Sequence, residues 1–203
     1  QGIQNPVLDI SVSAAGTRLG ETGVPENLQS TAEQKIQVAS DLAIKSQGLY
    51  FTDPFGAAGP MPPASGVETT YAVALSITNT TNKISGAKVS ATLPAYTRLV
   101  GNHYLPASEK VSFNSNTGVF TWDVGDIAPG VGLGGTAPRQ GVSERGFTPA
   151  PPQIGDEPKR VQDITLSGTD ASTGKAVTKS APDVTTNIVG DPGFSSANAR
   201  VVK

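Results

Sequence analysis

The dominant pattern along the chain is alternation with a period of two. Over residues 69–79, TTYAVALSITN, the positions Tyr71, Val73, Leu75 and Ile77 share one side, and small or polar residues take the other. That is the mark of a strand with one face in a core. Residues 86–93, GAKVSATL, group Ala87, Val89, Ala91 and Leu93, and Pro94 ends the ladder because it has no N–H to donate. Residues 111–124, VSFNSNTGVFTWDV, read as two short strands joined by the turn from Asn114 to Gly118. On the second of these, Phe120, Trp122 and Val124 are expected to point inward, and Thr121 and Asp123 outward. Near the start, residues 7–14 place Leu8, Ile10, Val12 and Ala14 on one face and Asp9, Ser11 and Ser13 on the other. Weaker strand signals at 35–51, 97–100, 142–148, 160–169 and 175–186 bring the number to about nine or ten, punctuated by Gly, Pro and Asn.

Helical periodicity is scarce. The best candidate is 26–40, ENLQSTAEQKIQVAS, with Ser30 or Thr31 as a cap. Its apolar positions are too few for a stripe, so its first half is expected to be loop or a short helical turn. Residues 53–66, DPFGAAGPMPPASG, read as a stiff crossover, and 128–141 and 149–159 as further Gly/Pro-rich loops. The expected fold is all-β: an immunoglobulin-like antiparallel β-sandwich with Greek-key-type connections, spanning 35–189. Residues 1–34 would supply one N-terminal strand and a polar connection, and 190–203 a mobile C-terminal tail.

The strand at 7–14 has two readings. It is either the first strand of the chain's own sandwich, the simpler assignment, or it adds to the open sheet edge of a neighbouring module. A polar stretch containing Gly16, Gly20, Gly23 and Pro25 separates it from the next strand signal, which leaves it free to reach away.

Composition sharpens this picture. The chain has 203 residues, of which 16% are charged, with a net charge of −2. Globular domains usually carry nearer a quarter. Nothing in that balance attracts nucleic acid or an anionic membrane. The cysteine count of 0 excludes disulfides, thiolate metal sites and cysteine nucleophiles within the chain. No apolar run reaches the roughly 18 residues of a membrane helix. Gln1 in place of Met is expected of a processed or excised chain.

Motifs that imitate chemistry fail on context. His103 is the only histidine and sits in a loop-like stretch, Gly101-Asn-His-Tyr104, with no nucleophile elbow anywhere. The run Gly130-Val-Gly-Leu-Gly-Gly135 resembles a dinucleotide loop, but Pro129 precedes it and Pro138 comes after it, so no helix opens behind it. Asp123 with Asp126, Asp156 with Glu157, and Asp170 are candidate calcium ligands, yet none has the dense spacing that calcium favours. Trp122 reads as a core anchor rather than a sugar platform. Asn79-Thr-Thr81 matches a glycosylation sequon and equally well makes a turn. No catalytic, metal or cofactor residue is assigned.

The segments ETTYAVALSITNTT, GAKVSATLP and VSFNSNTGVFTWDVGDIAPG resemble repeat domains of bacterial surface proteins. With GLYFTDPFGAAGPMPP, APRQ, FTPAPPQIG, ITLSGTDASTG and GDPGFSSANARVVK, the chain resembles the C-terminal immunoglobulin-like module of large predicted cell-surface proteins of candidate-phyla (patescibacterial) bacteria. The resemblance covers most of 48–203. It implies an extracellular or cell-surface location, tandem modules and a true C-terminus near residue 203. The function it leads us to expect is non-catalytic and structural: a surface-layer, stalk or filament component. Its partners would be copies of itself or neighbouring modules. The alternative is adhesion to a glycan or host protein through loops such as 53–66, 101–108 or 128–141. A carbohydrate-active enzyme would need paired carboxylates in a cleft.

Overall fold

The computed structural model describes residues 3–19 and 25–203. Among these, strands dominate: β1 (Val7–Leu19), β2 (Pro25–Gln37), β3 (Leu42–Leu49), β4 (Thr69–Asn79), β5 (Ile84–Thr92), β6 (Thr97–Tyr104), β7 (Lys110–Asn114), β8 (Val119–Ile127), β9 (Arg139–Phe147), β10 (Lys159–Asp170), β11 (Ala176–Ser180) and β12 (Val184–Thr185). Two sheets face each other. One runs β3-β4-β9-β6, the other β11-β10-β5-β8-β7, with β12 pairing β10. Every pairing between strands is antiparallel. The chain crosses between the sheets from β4 to β5, β5 to β6, β6 to β7, β8 to β9 and β9 to β10, which makes this an immunoglobulin-like sandwich of Greek-key type.

The core sits where the alternation put it. Val73, Leu75 and Ile77 of β4 pack in one cluster with Ala87, Val89, Ala91, Phe120, Trp122 and Val124 of the opposite sheet, and Tyr71 in a second with Phe147, Ile188 and Val201, all buried. The outer face of β4 is also covered. Ala72 and Ala74 are buried: the 53–63 crossover folds back beside Ala72, its Ala58 exchanging hydrogen bonds with Thr70, and Ala74 lies beside Val189 and Gly190.

Three expectations for the ends of the chain are corrected. Residues 26–37 are neither loop nor helical turn. They form β2, which pairs β1 from Val7↔Gln37 to Leu19↔Pro25. The strand at 7–14 is therefore not the first strand of the sandwich; it is half of a separate two-stranded sheet, and the sandwich begins at β3. The cause is local. β2 lacks apolar alternation, and its partner's backbone, not its own side chains, makes it a strand. The presumed tail is also ordered: Asp191, Ala199 and Val201 are buried, and Val202 bridges Ala64 in parallel. Its few apolar residues are spaced to plug the end of the sandwich.

Candidate functional site

The features that stand out lie at the two poles of the sandwich. At the first pole the β1–β2 hairpin leaves the body as an arm. Its root is a knot of polar groups. Asn5 N–H donates to the Thr81 carbonyl at 3.2 Å, and Val38 N–H to Pro6 at 3.0 Å. Asn82 Nδ2 donates to the Val38 carbonyl at 2.8 Å. Buried Asp170 closes the knot: one carboxylate oxygen accepts from Ser40 N–H at 2.7 Å and Asn82 Nδ2 at 2.8 Å. The other accepts from Ser172 N–H at 2.9 Å and Thr173 N–H at 3.0 Å. Burial pushes the Asp170 carboxyl up, but these donors together outweigh it and hold it at about 2. Beyond the root, every described side chain from Val7 to Thr17 and from Asn27 to Ala39 is exposed. At ~3.4 Å per residue the arm extends ~44 Å.

At the opposite pole the end of β3, the start of β4 and the C-terminal segment meet. Buried Asp191 accepts from the backbone N–H groups of Tyr50 at 2.7 Å, Phe51 at 2.8 Å and Thr52 at 3.2 Å, and from the Thr52 hydroxyl. Val202 N–H donates to Pro63 at 2.8 Å, and Ser65 N–H to the Val202 carbonyl at 2.9 Å. Tyr50, Tyr71, Tyr96 and Phe147 pack edge-on or tilted beneath. Each pole thus carries a buried aspartate that ties distant segments together.

Between the poles two arginines cross the core in opposite directions. Arg145 of β9 lies over the Phe120 ring of the facing sheet at 4.6 Å, and Arg160 of β10 lies over Tyr71 at 3.6 Å. Both are almost fully buried. Neither has a carboxylate partner among the described residues. Arg160 donates to the Thr185 carbonyl at 2.7 Å and Arg145 to the Glu144 carbonyl at 3.0 Å. Burial pushes Arg145 down to about 9 and Arg160 to about 10, while Tyr71 is pushed up to about 12. All three keep their ordinary protonation at neutral pH. The arrangement is a reciprocal cation–π clamp across the sandwich. Arg160 fits only because Gly48 opposes it: a Cβ there would stand 2.5 Å from its guanidinium.

The residues singled out from the sequence do not converge. Trp122 is a core anchor, with Nε1 donating to buried Glu109 at 2.7 Å, which also pairs with Arg139. His103 is on edge strand β6, not in a loop, and is exposed, its Nδ1 2.9 Å from the Gly101 carbonyl. The glycine run 130–135 is a series of turns at the arm's pole. Asn79 of the sequon is fully buried, its Nδ2 donating to the Asn82 carbonyl at 2.7 Å, so the amide is out of reach of any transferase. Four of the five acids considered for calcium, Asp170 among them, have other partners. Asp123 pairs with Lys88 at 3.2 Å, Asp126 with Lys83 at 2.6 Å and Glu157 with Asn187 at 3.0 Å.

One grouping was not visible in the sequence. The 53–63 crossover brings Asp53 near Glu144 and Asp191, and burial with both neighbouring acids pushes the Asp53 carboxyl up, against hydrogen bonds from Phe55 and Ala72 that hold it down. Glu144 accepts from Asn102 Nδ2 at 2.6 Å, and Asp191 is saturated by its donors. Among the described residues no group of acids and histidines is arranged to hold a metal. The loops proposed for adhesion also separate. Phe55 stacks on Tyr104 at 4.7 Å, whereas 128–136 lies at the arm's pole. There it joins Ile3, Thr80 and Thr81 in a cleft of about 520 Å³. None of the described residues lining that cleft is ionisable.

No family model matches the chain, and no curated protein matches it. Solved structures with a similar arrangement include the major pilin subunit BcpA of Bacillus cereus, in its D312A form. It is 11% identical, with a TM-score of 0.45 over 85% of this chain and 47% of that one. The major pilin SpaD of Corynebacterium diphtheriae is 10% identical, with a TM-score of 0.43 over 71% and 35%. A putative membrane-anchored protein of Corynebacterium diphtheriae is 12% identical, with a TM-score of 0.40 over 97% and 54%. The chain spans less than half the length of either pilin. A likeness of this size is one of strand arrangement at most.

Proposed function

We propose that this chain is a non-catalytic structural module of a bacterial cell surface, a stalk, layer or filament component that holds its two ends apart under load. The observation that carries the reading is where the chain attaches. The arm leaves one pole beside Thr81, and the C-terminal segment is fixed at the other beside Pro63 and Ser65. The eleven residues of β4 run between them, a separation of ~35 Å. A pull on the two ends therefore passes through the whole sandwich. The buried ties at Asp170 and Asp191 and the two arginine clamps stand in that path. The surface location rests on the resemblance of Tyr71–Leu93 and Val111–Gly130 to bacterial surface-protein repeats.

Immunogold labelling of intact source cells with an antibody against the chain tests the reading. Label along the envelope or on projecting structures supports it, and label confined to the cytoplasm overturns it. Mechanical unfolding between residues 5 and 202 adds a second measure. Asp170→Ala and Asp191→Ala should each lower the unfolding force, and unchanged force in both would remove the load-bearing role.

A further inference from the structure

We propose that the β1–β2 arm is a pairing device: two copies of this chain dock arm to arm, apolar face against apolar face. The inference deepens the structural reading by naming the partner as a second copy. The register of the hairpin sorts its side chains without a bulge. The face holding Leu8, Ile10, Val12, Leu28 and Ile36 leaves them 53%, 40%, 62%, 52% and 44% exposed. The ten positions of this face between 8 and 16 and between 28 and 36 include no charge. The opposite face carries Asp9, Glu33 and Lys35.

Among the described residues none covers the apolar face. The ties among the arm's described side chains include a Lys35–Asp9 pair at 3.9 Å and a Thr17–Asn27 contact at 3.5 Å, both exposed, and such pairs contribute little. A two-stranded hairpin alone is marginal in water, so an arm this long calls for a second layer.

Charge and area choose the occupant. The chain carries a net charge of −2, so two copies repel weakly in general. A face without charge is where they can meet with no like-charge contact, and a two-fold axis asks only that a patch suit itself. Each arm offers ~450 Å² of apolar surface from its five large side chains. Two arms together bury ~900 Å² of it, and their polar rims raise the total to the ~1,200 Å² at which specific interfaces begin. Val12 and its partner Ala32 stand at the middle of the face, so in a two-fold pair the two Val12 side chains come close to the axis.

The test uses the 203-residue chain, whose cysteine count of 0 makes a single introduced thiol specific. Light scattering should give a dimer mass at tens of micromolar. Val12→Asp should weaken dimerisation tenfold or more and leave the unfolding midpoint, followed through Trp122, where it was. Val12→Cys should cross-link rapidly to a dimer under mild oxidation, and Ser13→Cys on the opposite face should not. A monomer at every concentration overturns the pairing, as does a dimer that Val12→Asp leaves intact. Equal cross-linking from positions 12 and 13 overturns it too. None of these results touches the load-bearing reading, which rests on the attachment points at the two poles.

Discussion

Replacing Asp170 with asparagine removes one charge from the root of the arm and changes almost nothing in size. The carboxylate accepts from Ser40, Asn82, Ser172 and Thr173, is fully buried, and titrates at about 2 against an ordinary 3.8. A folded-state value below the unfolded one means that folding favours the charged form. The stability contributed is present above the unfolded value and is lost as pH falls through the folded one. The shift corresponds to about 2 kcal/mol. That is intact above pH ~5, about half gone near pH 3 and nearly gone at pH 2. Urea unfolding followed through Trp122 should therefore place Asp170→Asn about 2 kcal/mol below wild type at pH 7, with the gap closing between pH 4 and pH 2. Asp170→Ala should cost more, about 3–5 kcal/mol, since it strands the Ser40 and Asn82 donors. The reasoning is refuted if Asp170→Asn lies within ~0.5 kcal/mol of wild type at pH 7, or if the gap is the same at pH 2 as at pH 7.

Other expectations concern the interior. Gly48→Ala should cost about 1–3 kcal/mol in chemical unfolding, because its Cβ would press on Arg160, Ile188 and Val184 at 2.5, 2.6 and 3.1 Å. Trp122→Phe should cost about 2–4 kcal/mol by calorimetry, since it takes a hydrogen bond from buried Glu109 and leaves a gap in the core. Arg145→Met should be neutral or raise stability by about 1 kcal/mol, as it replaces a cation that pairs with none of the described carboxylates by an apolar chain that still covers Phe120; a clear loss would show that the cation–π contact outweighs its desolvation. Asp53→Asn should raise the melting temperature at pH 7. A carboxyl pushed above its ordinary value stabilises the fold only below that range, and the stability is lost as pH rises through the folded value. The advantage should fade in melts recorded below pH ~4.

Residues whose environment is set by their own neighbours in sequence could be read without the fold. β4, β5 and β8 were legible because every second side chain is apolar, and a strand with one buried face must show that period. Trp122 could be read as core for the same reason. What the tertiary structure decided belongs to residues that take their state from a distant partner. β2 is polar throughout its middle and is a strand because β1 supplies its hydrogen bonds. Arg145 and Arg160 sit where alternation expects apolar residues, and an aromatic ring on the facing sheet makes each tolerable. Asp170 stood out in the sequence only as a candidate calcium ligand and Asp191 only as part of a tail, and backbone donors as far away as Ser40 and Tyr50 turned them into buried ties. The segment 190–203 looked free because it has so little to bury; it is held because Val201 packs with Tyr71, Phe147 and Ile188 and Asp191 takes hydrogen bonds from Tyr50, Phe51 and Thr52. Periodicity reports which way a side chain points, whereas the identity of what it meets is a property of topology, and in this chain the two poles are where topology does the deciding.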